Sequence, residues 1–300
     1  MNKYVIYTII TGGYNDLMQP LFADERFDYI LFSNDFKIER IGVWQVMPIP
    51  QLTEINPDDN KRLSRYPKTH PEILLKNYEA SLYIDANLQI LDKWVYERFL
   101  ELVYKKVLYA GVRLQLTGRD CIYEHAFDMT ARGIVHDYEA LDQCHALYKK
   151  GFPQHFGLNE NNIIYRYHDD LMRKVDEEWW WWITNYTFRD QFSFMYCLWK
   201  YNIPVQEHFL PENEDSRTTI HFKYVEHDVK NRRTKFIKVD FFEKIRRKCY
   251  NIESGREKCL QIWMRAIQKN NPLGYLRIHI FGIFVLNIHR LLFKYVKNRI

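Results

Sequence analysis

Asp85 and Asn87 stand two residues apart at the end of the run Ser81-Leu82-Tyr83-Ile84. In an extended chain, residues two apart project to the same side. A carboxylate and an amide oxygen would then face one ligand together. Such hard oxygen donors suit Mg2+ or Mn2+ carrying a diphosphate. The competing reading is a plain turn, because Asp and Asn are common turn residues. Gly12 and Gly13, followed by Tyr14, form a second candidate group. Glycines after a first strand let the backbone approach a ligand closely, and Tyr14 could stack on a base or pack on the next helix. The segment is neither G-x-G-x-x-G nor a Walker loop. Ser33, Asn34 and Asp35 close the next strand and are base or ribose candidates, with a turn as the alternative.

Several cations precede Asp85: Lys61, Arg62, Arg65, Lys68, His70 and Lys76. They could neutralise a diphosphate or form a solvated helix face. Pro67 and Pro71 bracket Lys68 and His70 and restrict the backbone there. Asp190 follows Thr187 at capping-box spacing, with Asp where Glu or Gln is usual. A helix start is also a good place for a site carboxylate or a bound anion. His221 could complete a metal site begun by Asp85 and Asn87, or lie on the surface. Trp179, Trp180, Trp181 and Trp182 are consecutive. No helix or strand buries four adjacent indoles on one face, so some must line a groove, a partner surface or the rim of the core. Stacking on a sugar acceptor is one use for them.

These residues need elements to hold them. Lys3–Thr11, Phe27–Ser33, Trp44–Ile49, Ser81–Ile84, Leu108–Leu116, Asn162–Tyr167 and Ile203–Leu210 read as strands, rich in β-branched and aromatic residues. Asp58–Tyr78 reads as helix and loop, and Asp92–Tyr109 as a helix. A polar helix runs to about Lys150, where Gly151-Phe152-Pro153 breaks it, and another helix opens near Asp190. Strands alternating with helices predict an α/β sandwich with a mostly parallel sheet.

Charge is unevenly distributed. Residues 241–300 carry 13 Lys and Arg against 3 Asp and Glu, whereas the rest carries 30 against 35. Within that basic segment Tyr275–Lys297 is apolar but interrupted by His279, Asn287, His289 and Arg290. It falls short of a spanning helix. The pattern predicts a basic amphipathic helix, lying on an anionic membrane surface or docked on the preceding domain. No nucleic-acid motif accompanies it, so nucleic acid is not an expected partner. The start of the chain lacks the pattern of a signal peptide. The five cysteines (Cys121, Cys144, Cys197, Cys249 and Cys259) contain no C-x-x-C pair. They read as reduced thiols of a cytosolic protein, not as a zinc site.

Taken in order, the motifs resemble a known family. They are Ile6-Tyr7-Thr8, Gly12-Gly13-Tyr14-Asn15, Lys68-Thr69-His70, Tyr83-Ile84-Asp85-Ala86-Asn87, Arg119-Asp120-Cys121-Ile122-Tyr123-Glu124, Gly151-Phe152-Pro153, Gly157-Leu158 and Arg189-Asp190-Gln191-Phe192-Ser193-Phe194. Together they resemble the glycosyltransferase-like family of the plant mucilage type, which has bacterial relatives associated with surface polysaccharide synthesis. The likeness covers roughly residues 4 to 200, and the basic segment lies outside it. It implies a GT-A-like α/β/α sandwich with a mostly parallel central sheet; with the charge pattern, this divides the chain into residues 1–239 as that domain and residues 240–300 as a helical basic tail. Asp85-Ala86-Asn87 would take the place of the D-x-D motif, with an amide for its second acid.

The resemblance further implies that Thr8, Gly12, Gly13, Tyr14, Ser33, Asn34, Lys68, Asp85 and Arg119 bind the nucleotide sugar. Asp85, Asn87 and His221 would hold Mn2+ or Mg2+. Asp190 would act as base toward the acceptor hydroxyl or position the acceptor, with Glu124 as second candidate. The expected reaction is glycosyl transfer to a glycan or lipid-linked acceptor in capsule, lipopolysaccharide or O-antigen synthesis, on the cytoplasmic side of the membrane. The alternatives are a hydrolase of a sugar or lipid, and a non-catalytic sugar-nucleotide-binding protein.

Overall fold

The computed structural model describes residues 2–13, 16–114, 118–226, 243–244, 247–248 and 256–269, and the backbone of 275–280 and 284–289. The protein is mixed α/β, and it divides into two compact units: residues 1–120 with 157–233, and residues 121–156 with 234–300.

The first unit is built on a sheet of β1 (Tyr4–Ile9), β2 (Phe27–Phe32), β3 (Arg40–Ile41), β4 (Trp44–Met47), β5 (Ala80–Ile84), β7 (Tyr109–Arg113) and β8 (Asn159–Tyr167). Its order is β3-β4-β2-β1-β5-β8-β7. β4, β2, β1 and β5 run parallel, whereas β3 and β8 oppose their neighbours. The sheet is therefore mostly parallel, as the alternation of elements predicts. A smaller ribbon pairs β6 (Leu88–Ile90) with β9 (Phe222–Tyr224), antiparallel. The expected strand at Ile203–Leu210 is absent but for one bridge from His208 to Gly111.

Both faces of the sheet are covered, which explains why its strands are apolar on both sides. On one face Ile6, Ile10, Leu31, Trp44, Leu82 and Ile84 pack with Val95, Phe99 and Leu102 of the helix Trp94–Tyr104. On the other, Arg166 of β8 bonds both Tyr7 of β1 and Asp176 of the helix Asp170–Asn185. Three short helices, α1 (Asn60–Leu63), α2 (Tyr66–Thr69) and α3 (Pro71–Leu74), link the strand region near Met47 to β5. With α4 as Trp94–Tyr104, the second unit contributes α5 (Ile122–Ala131) and α6 (Asp137–Lys149); α7 is Asp170–Asn185 and α8 Phe194–Lys200. Asp190 lies just before α8, in a 3-10 turn Asp190–Phe192.

In the second unit α9 (Arg256–Gln268) buries Trp263, whose indole donates to the Tyr123 carbonyl. Trp263 also meets Phe127 of α5 edge-on. Residues 121–156 therefore pack with the described part of the C-terminal segment, whereas the expected division falls at 239/240. The helix expected over 275–297 is not found at its described residues. β10 (Tyr275–Ile280) and β11 (Phe284–His289) pair antiparallel instead. The sequence accounts for this: Leu276, Ile278 and Ile280 alternate with Arg277 and His279, which is the period of a strand. No described helix is long and apolar enough to cross a membrane.

Candidate functional site

Parallel strands bring their carboxyl ends to one edge, and polar residues follow them there. β1 runs out at Gly12 and Gly13, β2 at Ser33–Asp35, and β5 at Asp85. β8 enters at the same edge, and its Asn162 carbonyl accepts the Asp85 amide at 2.8 Å. β7 leaves there, and the connection after it contains Arg119.

Asp85 is half-buried, and its Oδ1 accepts the Tyr83 hydroxyl at 2.5 Å. Period two explains that contact, since residues 83 and 85 share a face. The Lys68 ammonium lies over the Tyr83 ring, 4.5 Å from its centre. It donates to Asp190 Oδ2 at 2.7 Å, and Arg65 Nε stands 3.7 Å from the same oxygen. Lys68 and Asp190 are only 2 % and 4 % exposed. Asp85, Tyr83, Lys68, Asp190 and Arg65 therefore form one cluster, assembled from β5, α2 and the turn before α8.

Burial opposes charge on both members of the central pair. For Asp190, burial alone would raise the carboxyl, but Arg65, Lys68 and Arg189 overcome it and hold it well below the usual carboxylate range. For Lys68, burial lowers the ammonium below the usual lysine range, although Asp190 and Asp85 pull it back. The two partners thus differ in which effect wins. We take the pair as ionised, because three cations surround the carboxylate and two carboxylates face the ammonium.

Arg166 supports this cluster from beneath. It is fully buried, with Nη2 donating to the Lys68 carbonyl at 2.6 Å and to the Tyr7 hydroxyl at 2.8 Å. Its Nη1 meets Asp176 Oδ2 at 2.6 Å. Arg166 lies inside the strand expected over Asn162–Tyr167, and no sequence motif marks it for this role. Arg65 and Tyr83 were also legible, one helical turn from Lys68 and one strand period from Asp85.

The other expected residues fall into place differently. Gly12 and Gly13 both have positive φ, +64° and +61°. Their successive amides grip Asp35, Gly12 N to Oδ1 at 3.1 Å and Gly13 N to Oδ2 at 2.8 Å. Asn34 is committed to the backbone of Ile49 through both ends of its amide. Ser33 Oγ accepts the Asp35 amide, so these two residues build the turn. Thr8 is fully buried on the Ile6–Ile10 face of β1. Strand alternation puts it on that face, inside β1 and short of the polar edge. Tyr14 lies outside the described residues.

Asn87 fits the metal reading in part. Its Nδ2 donates to the Val225 carbonyl at 2.9 Å, and no described hydrogen bond uses its amide oxygen. Asp85 and Asn87 both carry hard oxygens, but residues 85–88 close a turn in which the Leu88 amide donates to the Asp85 carbonyl at 2.9 Å, so the extended spacing expected to aim them at one ligand is not found. His221 does not join them. Its carbonyl accepts the Leu91 amide, whereas Asn87 pairs with Val225. The length of β6 separates those contacts, about 13 Å of extended chain. His221 instead stacks on Trp94 at 3.9 Å, with Nδ1 2.9 Å from Asp92 Oδ2. Glu124 belongs to the other unit, where its Oε1 lies 3.9 Å from His155 Nε2.

Three of the four tryptophans are core residues. Trp179 donates to the Asp190 carbonyl, Trp180 meets Tyr66 and His70 edge-on, and Trp182 stacks on Tyr186. Trp181 alone is exposed, at 46 %. Compared with protein-family models, curated proteins and solved structures, the chain matches none.

Proposed function

We propose that the chain is a glycosyltransferase that moves a sugar from a nucleotide-diphospho-sugar to a hydroxyl of a glycan or lipid-linked acceptor. One observation carries this reading. Asp85, at the carboxyl end of a central parallel strand, sits in a cluster with the buried Lys68–Asp190 pair and Arg65. Edges of this kind receive nucleotides in open α/β sheets. The sequence resemblance supports the choice of donor.

In this reading the donor diphosphate lies over the edge near Asp85 and Asn87. Mg2+ or Mn2+ held by their oxygens would offset charge on the departing diphosphate. Lys68 and Arg65 place positive charge beside that position, and Arg119, in the connection after β7, would be a further phosphate contact. The acceptor oxygen bonds to the anomeric carbon as the carbon–oxygen bond to the diphosphate breaks. The bonding pair leaves with the phosphate, and the acceptor proton passes to a base. Asp190 is poorly suited to be that base, because a carboxylate held this low takes up protons weakly. Its geometry suits it to holding Lys68 in place. A polysaccharide acceptor and a cytoplasmic membrane surface remain part of the proposal, resting on the resemblance and on the basic C-terminal segment.

The locked Asp190 also favours a second reading, a sugar-nucleotide-binding protein without turnover. A thermal-shift screen of nucleoside diphosphates and nucleotide sugars, with and without Mn2+, followed by product analysis, separates the two. A transferase is stabilised by a nucleotide and lengthens an acceptor, and Asp85→Ala loses both effects. Stabilisation without product supports the binder. Full transfer by Asp85→Ala would overturn the assignment.

A further inference from the structure

We propose that Cys121, Glu124 and His155 form a three-ligand Zn2+ site with a fourth position open to water or an exogenous ligand. All three belong to the second unit, so this centre is separate from the Asp85 cluster and goes beyond the transferase reading. Their ligand atoms lie within 4.8 Å of one another.

The local fold explains the meeting. Cys121 is the N-cap of α5 and Glu124 lies three residues on, the spacing at which side chains of a helix start approach each other. His155 arrives from the turn after Gly151-Phe152-Pro153, with its backbone at φ +56°. The imidazole and the carboxylate stand 3.9 Å apart, too far for a hydrogen bond. Around a tetrahedral Zn2+, bonds of about 2.0–2.3 Å place ligand atoms about 3.3–3.6 Å apart. Side-chain rotation closes that gap, because His155 and Glu124 are 55 % and 40 % exposed while Cys121 is fixed in the interior.

The donor set selects the metal. A thiolate and an imidazole favour Zn2+ over Mg2+ or Mn2+, and three protein ligands leave one position open. A cysteine binds Zn2+ as the thiolate, so binding releases a proton and affinity rises with pH.

The test uses the full chain, stripped with a chelator and titrated with Co2+ as a spectroscopic probe. The expected result is a thiolate-to-cobalt absorption band that saturates at one equivalent and is bleached by Zn2+. His155→Ala and Glu124→Gln should each weaken Co2+ binding by at least about tenfold, with thermal unfolding unchanged. Cys121→Ser should lose the band. Asp85→Ala should retain it, so failure here is distinct from failure of the transferase reading. No band at stoichiometric Co2+, or one unmoved by both His155→Ala and Glu124→Gln, would overturn the proposal.

Discussion

Lys68 and Asp190 face each other across 2.7 Å with almost no solvent contact. Removing one partner of such a pair leaves a buried charge, which costs about 3–5 kcal/mol. Lys68→Met and Asp190→Leu should each lower stability in urea by about that amount, whereas the double variant should recover most of it. Additive losses would mean that the two groups do not interact. Sequence inspection named both residues but not their pairing, because they lie on separate elements 122 positions apart. Tyr83 was legible as a companion of Asp85, one strand period away, whereas the turn at residues 85–88 takes Asn87 off that period. His221 was misplaced because a sequence does not reveal which end of a ribbon a distant residue joins.

His168 gives a second residue-scale prediction. Its Nδ1 bonds the Tyr78 carbonyl and its Nε2 pairs with Ser81 Oγ. Together these fix the neutral ring, with Nδ1 as donor and Nε2 as acceptor. Burial and Arg166 lower its pKa from 6.5 to about 4. The unfolded chain therefore binds the proton more readily than the folded one across that interval. Stability from this group is present above pH 6.5 and falls away as pH drops toward 4. His168→Gln should flatten that part of a stability-versus-pH curve; an unchanged slope would assign it to other groups.

At the scale of elements, α7 shows how four consecutive indoles are distributed around a helix. At 100° per residue they cannot share one face. Trp179 and Trp182 are fully buried, Trp180 nearly so, and Trp181 points to solvent. Trp179→Ala should cost about 3–5 kcal/mol, and Trp181→Ala less than about 0.5 kcal/mol, both read from denaturant unfolding. A large loss at Trp181 would contradict this arrangement. The helix period was available from sequence and forced at least one indole outward. It could not say which one, because that depends on the face that Arg166 and Asp176 turn toward the sheet. The C-terminal apolar stretch went the other way. Its composition suggested an amphipathic helix, whereas strict alternation at residues 276–280 carried the strand signal that the structure bears out at β10.

For the molecule as a whole, charge and topology tell different stories. The strand sequence and alternation of elements were enough to anticipate a mostly parallel sheet. They did not reveal that residues 121–156 join the C-terminal segment, since that depends on Trp263 meeting α5 from 140 positions away. The strong positive balance after residue 240 is a property of sequence and predicts attraction to anionic surfaces. Lys294, Lys297 and Arg299 lie outside the described residues. Replacing all three by Gln should weaken sedimentation with phosphatidylserine vesicles, by about 1 kcal/mol per charge if each lies at the surface. Equal binding by both forms, insensitive to salt, would remove membrane attraction from the proposal.

The Gly157 amide donates to the Asp120 carbonyl at 2.9 Å, and the Leu114 amide to the Leu158 carbonyl at 3.0 Å. The polypeptide therefore leaves the sheet after β7 and returns to β8 at points held together by these two bonds. Whatever lies between these stitches can be lengthened, trimmed or exchanged over evolutionary time without shifting the β7–β8 register. The edge that carries Asp85 and the segment between the stitches thus have separate freedom to vary.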